Sequence, residues 1–344
     1  VITWTGSVTA GSAVTITFGA TVSPTLGLIV NSAVISGGGE IITRSATVTV
    51  EGQICNLTKY AGNPVLSVGA GGSWDDDDVW RPTVLEEGGS YKMWYTGDDG
   101  SNPSRIGLAT STDGITWTKD ISNPVLSPSQ TWEAQGIRSS SVISDSGLYK
   151  LWYTGFDGSG VSRIGYATSL DGATWTKYGS NPVLSVGASG SWEDAGVREP
   201  TVVKEGSTYH MWYTGDDGIT NRLGHATSNN GINWTKDPAN PVLDIGSPGA
   251  WDWLHVYGPG VVPYNATYLL WYSGGTLPEA WQAGYALSPD GSAWTRGEML
   301  IPEGAPGAFD ADSADYPSVI ADGDEFKVWY SGLNAGGTYA IGYA

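Results

Sequence analysis

The chain has 344 residues, with 16 lysines and arginines against 35 aspartates and glutamates, so its formal net charge is −19 at pH 7. This charge argues against nucleic acids and anionic membranes as partners, because their phosphate groups would be repelled. No apolar run approaches the roughly 20 residues needed to span a bilayer, and 50 glycines, 17 tryptophans and 18 tyrosines favour a turn-rich β protein.

Residues 1–51 alternate strand-like patterns with glycine, serine and proline turns, as in Val14–Phe18 and Ala46–Val50. Two stretches, Trp4–Ser12 and Asn31–Val34, resemble the C-terminal half of an Ig-like module of bacterial surface proteins. Such an incomplete sandwich is too small to be stable alone. We therefore expect either further residues upstream or a partner chain that donates strands, with self-assembly through residues 1–51 as a hypothesis.

A repeat of 58 to 60 residues follows. Each unit carries a Trp-Tyr-[Thr/Ser]-Gly phrase, which starts at Trp94, Trp152, Trp212, Trp271 and Trp329. Each unit also predicts four short strands, which in the first unit are Pro82–Glu86, Tyr91–Thr96, Arg105–Thr110 and Trp117–Lys119. Because such strands are apolar on both faces, they suit sheets packed between neighbouring sheets. The repeat therefore predicts an all-β fold, a five-bladed β-propeller over residues 52–344 behind the incomplete Ig-like segment.

The last unit supplies only three of its four expected strands, ending at Ala340–Ala344. The missing phrase stands before the first unit, as Leu57–Tyr60, which aligns with Trp175–Tyr178 at the end of the second unit. We expect the strand near residues 57–60 to complete the last blade and to close the circle without a free edge.

A ligand site in a repeat fold is expected where the repeats differ, because scaffold positions stay alike. The blades differ most just before their aligned prolines, where the innermost strands should begin at a central funnel. That position is occupied by Arg81, Ser139, Glu199, Gly258 and Tyr316. The preceding position holds Trp80, Arg138, Arg198, Tyr257 and Asp315, and three residues before the first set lie Asp78 and His255.

These residue types suit a glycan, neutral or anionic. The guanidinium groups of Arg81, Arg138 and Arg198 favour carboxylate, sulfate or phosphate, and the rings of Trp80, Tyr257 and Tyr316 favour stacking on sugars. The alternative is internal neutralisation of the arginines by Glu199, Asp315 and an acidic run. That run is either a solvated loop or a calcium site, and no other metal or cofactor is expected; its members are Asp75, Asp76, Asp77 and Asp78.

The repeat phrases Arg198-Glu199-Pro200-Thr201-Val202, Met211-Trp212-Tyr213-Thr214-Gly215 and Ile164-Gly165-Tyr166-Ala167 resemble the five-bladed glycoside hydrolase superfamily. That superfamily includes arabinanases and xylosidases of family 43, invertases and levansucrases, and mannoside phosphorylases. In arabinanase-like members the resemblance implies three funnel acids, a base, a pKa-tuning aspartate and an acid glutamate. The acid matches Glu199, but the other two positions hold Arg81 and Ser139, and an arginine stays protonated at neutral pH.

Three functions follow as hypotheses. The first is an extracellular carbohydrate-recognition module on a glycosidase-like propeller that lacks the usual catalytic acids. The second is an active glycoside hydrolase or phosphorylase that uses Glu199 with a displaced carboxylate, Asp78 or Asp315. The third is a structural surface or filament subunit assembled through the Ig-like segment. A single cysteine beside abundant glycine, serine, threonine and tryptophan is typical of secreted or surface proteins of bacteria.

Overall fold

The computed structural model describes residues 28–37, 40–49, 57–101, 103–276, 280–323 and 325–344. The chain divides into two compact units, residues 1–55 and 56–344. In the first unit β1 (Leu28–Gly37) pairs antiparallel with β2 (Glu40–Thr49). Most of the predicted Ig-like segment, including Trp4–Ser12, lies outside the described residues, so that segment and its strand-donating partner stay predictions.

The second unit is built from strands that pair in antiparallel meanders, which we number 1 to 5. Meander 1 contains β3 (Asp78–Glu87), β4 (Ser90–Asp98), β5 (Arg105–Ser111) and β6 (Thr118–Lys119). Meander 2 contains β7 (Gly136–Asp145), β8 (Leu148–Phe156), β9 (Ser162–Ser169) and β10 (Thr176–Lys177). Meander 3 contains β11 (Gly196–Glu205), β12 (Thr208–Asp216), β13 (Asn221–Ser228) and β14 (Thr235–Lys236).

Meander 4 contains β15 (His255–Tyr264), β16 (Thr267–Thr276), β17 (Ala280–Ser288) and β18 (Thr295–Ile301). Meander 5 contains β19 (Ser313–Asp322), β20 (Glu325–Leu333) and β21 (Tyr339–Tyr343). The described residues contain a single helical turn, the 3₁₀ segment Thr131–Glu133. None of their helices is long and apolar enough to cross a membrane. The all-β class is therefore confirmed.

The first strand of meander 1 is longer than the sequence pattern predicted. In meander 1 the prediction placed its start at Pro82, whereas β3 begins at Asp78 and continues through the proline. The antiparallel register shifts between Trp80 and Thr83, so a bulge accommodates the proline, which has no N–H for the ladder. Register shifts recur at the equivalent place in β7, β11, β15 and β19.

Tryptophans of the repeated phrase connect neighbouring meanders. The indole N–H of Trp94 in meander 1 donates to the carbonyl of Gly172 in meander 2, at 2.8 Å. Trp152 and Trp212 make the same bond to the following meander, at 2.7 Å each. Trp329 of meander 5 donates to Gly114 of meander 1 at 2.8 Å, so the last meander contacts the first.

A second repeated feature is a buried carboxylate that binds both a tyrosine and a cation, which we term the carboxylate cluster. In meander 1 the carboxylate of Asp75 accepts the hydroxyl of Tyr95 at 3.0 Å and pairs with Lys119 at 2.7 Å. Equivalent acids and cations recur in the next three meanders: Glu133 with Lys177, Glu193 with Lys236, and Asp252 with Arg296. An unpaired buried carboxylate is costly, so each cation stabilises its own meander.

The carboxylate cluster of meander 5 takes its cation from the beginning of the unit. Lys59 pairs with Asp310 at 2.5 Å, while Tyr330 donates its hydroxyl to the same carboxylate at 2.9 Å. The amide of Tyr60 also donates to the carbonyl of Tyr343 at 2.9 Å. The segment near residues 57–60 thus lies beside β21, at the place where the sequence predicted a fourth strand.

This contact generates a prediction about stability. Replacement of Lys59 by methionine should lower the free energy of unfolding by about 1–3 kcal/mol, because Asp310 would remain buried without its cation. Urea denaturation followed by tryptophan fluorescence measures the change. The double variant Lys59→Met/Asp310→Asn should regain part of the loss, since a neutral amide needs no cation. A single variant as stable as the parent would contradict the role given to Lys59.

Candidate functional site

Five backbone positions with positive φ lie at the bulges of the first strands, and we call them the ring positions. Four are occupied by non-glycine residues with positive φ, namely Arg81 (55°), Ser139 (43°), Glu199 (57°) and Tyr316 (50°). The fifth is Gly258, at 60°. A left-handed backbone costs a non-glycine residue roughly 1–2 kcal/mol, and such strain concentrates at functional sites. These are the positions where the sequence predicted a ligand site.

A buried hydroxyl from the neighbouring meander fixes each ring position. The amide of Glu199 donates to the hydroxyl of Thr154 at 2.8 Å, and the amide of Arg81 donates to that of Ser331 at 2.8 Å. The other three bonds join Ser139 to Thr96, Gly258 to Thr214, and Tyr316 to Ser273. All five hydroxyls belong to the Trp-Tyr-[Thr/Ser]-Gly phrase, so this repeated residue holds the backbone of the site.

The five first strands surround a cavity of about 180 Å³, the central funnel. Each strand contributes four consecutive residues, in the ranges 81–84, 139–142, 199–202, 258–261 and 316–319. Pockets that enclose small ligands usually measure roughly 300–1,000 Å³. The funnel is therefore smaller than such pockets, and charged and aromatic side chains, Arg81, Glu199 and Tyr316, are among the residues that line it.

Arg81 is the central cation of the funnel. Its guanidinium donates to Ser139 at 2.7 Å and to the hydroxyl of Tyr316 at 2.6 Å, and it pairs with Glu199 at 3.1 Å. It also lies over the Tyr316 ring, 4.2 Å from the centroid. Burial disfavours its charge, but Tyr316, Glu199 and Asp315 together raise the pKa of Arg81 above its ordinary value. This cation is thus well compensated by its neighbours.

Glu199 is 4% exposed, and both of its carboxylate oxygens are engaged. Oε2 accepts the hydroxyl of Thr214 at 2.8 Å and the amide of Gly258 at 3.0 Å, while Oε1 faces Arg81. Every one of these neighbours is a hydrogen-bond donor. The arrangement holds Glu199 as an acceptor, which is unsuited to a residue that must donate a proton.

Asp315 lies next to this group and is 3% exposed. Its Oδ2 accepts the hydroxyl of Tyr257 at 2.9 Å, whereas Oδ1 has no hydrogen-bond partner among the described residues. Burial raises the pKa of Asp315 to about 7, although Tyr257 and the charge of Arg81 favour its ionised form. Burial also raises the pKa of Tyr257 well above its usual range. Asp315 can therefore hold a proton near neutral pH.

Asp78, the other candidate carboxylate, belongs to a separate group. It accepts the amide of Tyr339 at 2.7 Å and lies beside Asp98 and Arg138. Burial raises the pKa of Asp78. Among the described residues no contact joins it to Glu199, so the structure brings Asp315, and not Asp78, into the electrostatic neighbourhood of Glu199 and Arg81.

Two of the three predicted arginines are neutralised internally. Arg81 pairs with Glu199, and Arg198 pairs with Asp216 at 2.6 Å and donates to Asn221 at 2.7 Å. Arg138 differs, since its Nε donates to the hydroxyl of Ser104 at 2.8 Å. No ion pair joins Arg138 to a carboxylate in the part of the chain that the structure describes.

Aromatic residues flank the funnel, and some of them were missed by sequence reasoning. The rings of Trp80 and Tyr339 stack at 6.0 Å, and His255 stacks on Trp281 at 5.5 Å. Burial lowers the pKa of His255. Tyr257 meets Trp281 edge-on at 5.6 Å. Tyr339 and Trp281 lie on β21 and β17, away from the prolines that guided the prediction, so position in the repeat gave no signal for them.

The acidic run serves more than one purpose. Asp75 belongs to the carboxylate cluster of meander 1, and Asp76 accepts the amide of Gly72 at 2.5 Å. The carboxylates of Asp77, Asp78 and Asp98 lie within 4.8 Å of one another, close enough to share a cation. Asp75 is thus not available to the predicted calcium site, and a calcium role for the remaining acids stays a prediction.

Comparisons with known proteins agree with this fold. Residues 83–253 match the N-terminal domain of glycosyl hydrolase family 32. An uncharacterised protein of Mycobacterium tuberculosis is 29% identical over 221 residues, covering 61% of this chain and 72% of that protein. The 1,2-β-oligomannan phosphorylase of Thermoanaerobacter sp. is 34% identical over 128 residues, covering 33% of this chain and 41% of the enzyme.

Solved structures of other proteins have a similar fold. The β-1,2-mannobiose phosphorylase of Listeria innocua superposes with a TM-score of 0.66 at 16% identity, over 83% of this chain and 96% of the enzyme. A structure from the GH130 family of mannoside phosphorylases has a TM-score of 0.67 at 20% identity, over 83% of this chain and 92% of that one. These matches support a propeller glycosidase-like superfamily, while the relation to family 43 stays a prediction.

The hydroxyl bonds at the ring positions predict a specific mutational cost. Thr154→Val should lower the free energy of unfolding by about 1–3 kcal/mol, because the amide of Glu199 would be buried without an acceptor. Thr154→Ser keeps the hydroxyl and should lose only about 1 kcal/mol from the missing methyl group. Urea denaturation of both variants measures the difference. Equal losses for valine and serine would show that the hydroxyl does not hold Glu199.

Asp315 predicts a dependence of stability on pH. Its pKa is about 7 in the folded chain and 3.8 in its ordinary environment, so the folded state binds the extra proton between these values. The contribution of Asp315 to the free energy of unfolding therefore falls by on the order of 4 kcal/mol as pH rises from about 4 to 7, and it is constant above that range. In urea titrations Asp315→Asn should gain stability relative to the parent over that interval. A constant difference between the two proteins from pH 4 to 8 would refute the shift.

Proposed function

We propose that this chain is a carbohydrate-recognition propeller that binds a saccharide at the central funnel without the hydrolytic chemistry of its superfamily. One observation carries the proposal: Arg81, which the resemblance to arabinanases aligns with their catalytic base, forms an ion pair with Glu199 at 3.1 Å. Hydrolysis by these enzymes needs two carboxyl groups on opposite sides of the scissile bond. Here one side is a guanidinium that cannot accept a proton near neutral pH.

The proposal also covers the number of blades and the closure of the propeller. The five meanders are taken as five blades of a closed propeller, a reading supported by the bonds that join meander 5 to meander 1 through Trp329 and Ser331. An extracellular or cell-surface setting belongs to the same proposal and depends on composition alone. A role as a filament subunit depends on residues 1–51, most of which lie outside the described residues.

Carbohydrate is the proposed ligand for two reasons. Relatives of this chain act on saccharides, including a 1,2-β-oligomannan phosphorylase and a β-1,2-mannobiose phosphorylase. The funnel itself combines fixed polar groups with the aromatic ring of Tyr316, and the half-buried ring of Tyr339 lies near Arg81. This combination suits a sugar ring, which has an apolar face and hydroxyl groups at its edge.

A second candidate function is glycoside phosphorolysis, and Asp315 favours it. A carboxyl group whose pKa lies near 7 suits a proton donor to a leaving sugar. Phosphate would replace the activated water, so the absence of a base at the Arg81 position would not prevent the reaction. This candidate requires Asp315, which is 3% exposed, to reach the substrate when the funnel is occupied.

Binding and product release are measured together to test the proposal. The intact chain is titrated with β-1,2-mannobiose and a panel of neutral and acidic glycans, and the same mixtures are assayed for released sugar with and without inorganic phosphate. We expect binding without turnover. Glu199→Gln should weaken binding about tenfold, because a hydrogen bond to a charged group is worth about 1.5–3 kcal/mol.

Glu87→Gln serves as the control, since Glu87 lies at the far end of β3 and its carboxylate accepts the hydroxyl of Tyr149. This variant should bind as the parent does. Turnover that needs phosphate and disappears in Asp315→Asn would replace the recognition proposal with phosphorolysis. Neither binding nor turnover by a folded parent would reject both.

A further inference from the structure

Arg138 is held at the funnel in a way that leaves the end of its side chain available. It lies on β7 directly before the ring position Ser139, and its Nε is fixed by the hydroxyl of Ser104. The guanidinium carbon lies 5.8 Å from the ring centroid of Trp80 and 5.1 Å from that of Phe156. These two aromatic rings and Ser104 orient the planar group, while its two terminal amino groups make no hydrogen bond within the described residues.

The charge of Arg138 is compensated less well than that of Arg81. Burial and the positive charge of Arg81 lower the pKa of Arg138, and their effect exceeds the opposite influence of Asp98 and Asp78. Arg81, by contrast, has its pKa raised by its neighbours. A partly buried cation without an ion-pair partner is costly. An anion arriving with a ligand would remove this cost.

The neighbouring acids restrict what kind of anion fits. The negative charges of Asp78 and Asp98 lie close enough to raise the pKa of Arg138. A dianionic phosphate would therefore meet stronger repulsion there than a group with a single charge. A carboxylate carries one charge, and its planar shape matches the two amino groups of a guanidinium. Tyr339, which is half-buried, stacks on the buried ring of Trp80 beside this position and offers a surface for a sugar.

We propose that the free end of Arg138 binds the carboxylate of an acidic sugar, so that the funnel prefers a uronic acid over the corresponding neutral hexose. This inference rests on the proposed carbohydrate-binding function and names the substrate class of the same site. Tyr339 supports the sugar ring, Trp80 and Ser104 orient the guanidinium of Arg138, and the ion pair of Arg81 with Glu199 supplies further polar groups.

Calorimetric titration of the intact chain tests the proposal. The probes are the methyl glycosides of glucuronic, galacturonic and mannuronic acid, each compared with the methyl glycoside of its neutral hexose, and inorganic phosphate alone. We expect at least one acidic glycoside to bind roughly tenfold more tightly than its neutral counterpart, the strength of a charged bidentate hydrogen bond.

Three variants test whether Arg138 causes the preference for acidic glycosides. Arg138→Met removes the charge and should reduce affinity for the acidic glycoside about tenfold more than affinity for the neutral one. Arg138→Lys keeps the charge without the planar pair of donors and should retain part of the preference. Arg163→Met is the matched control, because Arg163 pairs with Asp157 at a turn and is not a funnel residue. It should leave the preference unchanged, and unfolding curves confirm that each variant is folded.

The outcomes separate this inference from the function on which it rests. Equal binding of acidic and neutral glycosides, or a preference that survives Arg138→Met, overturns the inference and leaves carbohydrate recognition standing. Phosphate binding that depends on Arg138, without any preference for uronic acids, overturns it in favour of free phosphate. Failure of every glycoside to bind overturns carbohydrate recognition and the inference together.

Discussion

One hydrogen bond, repeated around the second unit, determines where the candidate site lies. A buried threonine or serine hydroxyl accepts the amide of a ring position in the next meander, as Thr154 does for Glu199. Without that acceptor the amide would be buried and unsatisfied, in a stretch of backbone that is already strained by positive φ. The bond uses only main-chain atoms of the ring position. Its side chain is therefore free to change from meander to meander while the backbone stays in place.

This separation explains how one scaffold presents such different chemistry at equivalent positions. Arginine, serine, glutamate, glycine and tyrosine occupy the five ring positions with nearly the same φ. An arginine at the first ring position, Arg81, makes the centre of the funnel a fixed ion pair with Glu199. Arg81 has Glu199 as its counter-charge, whereas Arg138 has no ion-pair partner among the described residues.

The repeat in the sequence predicted the all-β fold and the ring positions, because strand and turn patterns are local properties of the chain. The conformation of the ring positions was not predictable in the same way. The strand β3 begins four residues earlier than expected, since the bulge at Arg81 depends on a hydroxyl of Ser331, which is distant in sequence. Tyr339 contacts Trp80, and Trp281 contacts His255, for similar reasons. Their contacts join strands that are not consecutive in the chain, and local sequence patterns do not show which of such strands meet.

One feature that the sequence analysis missed, the carboxylate cluster, is recognisable from the spacing of its residues. The acid and the tyrosine of the carboxylate cluster are separated by 20 residues in meanders 1, 3, 4 and 5, as for Asp75 with Tyr95 and Asp310 with Tyr330. Asp75 was instead grouped with the acidic run that follows it. The spacing would have identified it as a structural residue, because a functional residue has no reason to recur at a constant interval.

The pairing of Lys59 with Asp310 has a consequence for how the protein is made. The two residues are 251 positions apart, so a ribosome must synthesise almost the whole second unit before they can meet. Meanders 1 to 4 each complete their carboxylate clusters from nearby residues and can do so during translation. Meander 5 cannot, and loops of this length form slowly. The segment around residue 59 therefore stays unpaired until meander 5 has been made, which makes this pairing the step most exposed to competition from other copies of the chain.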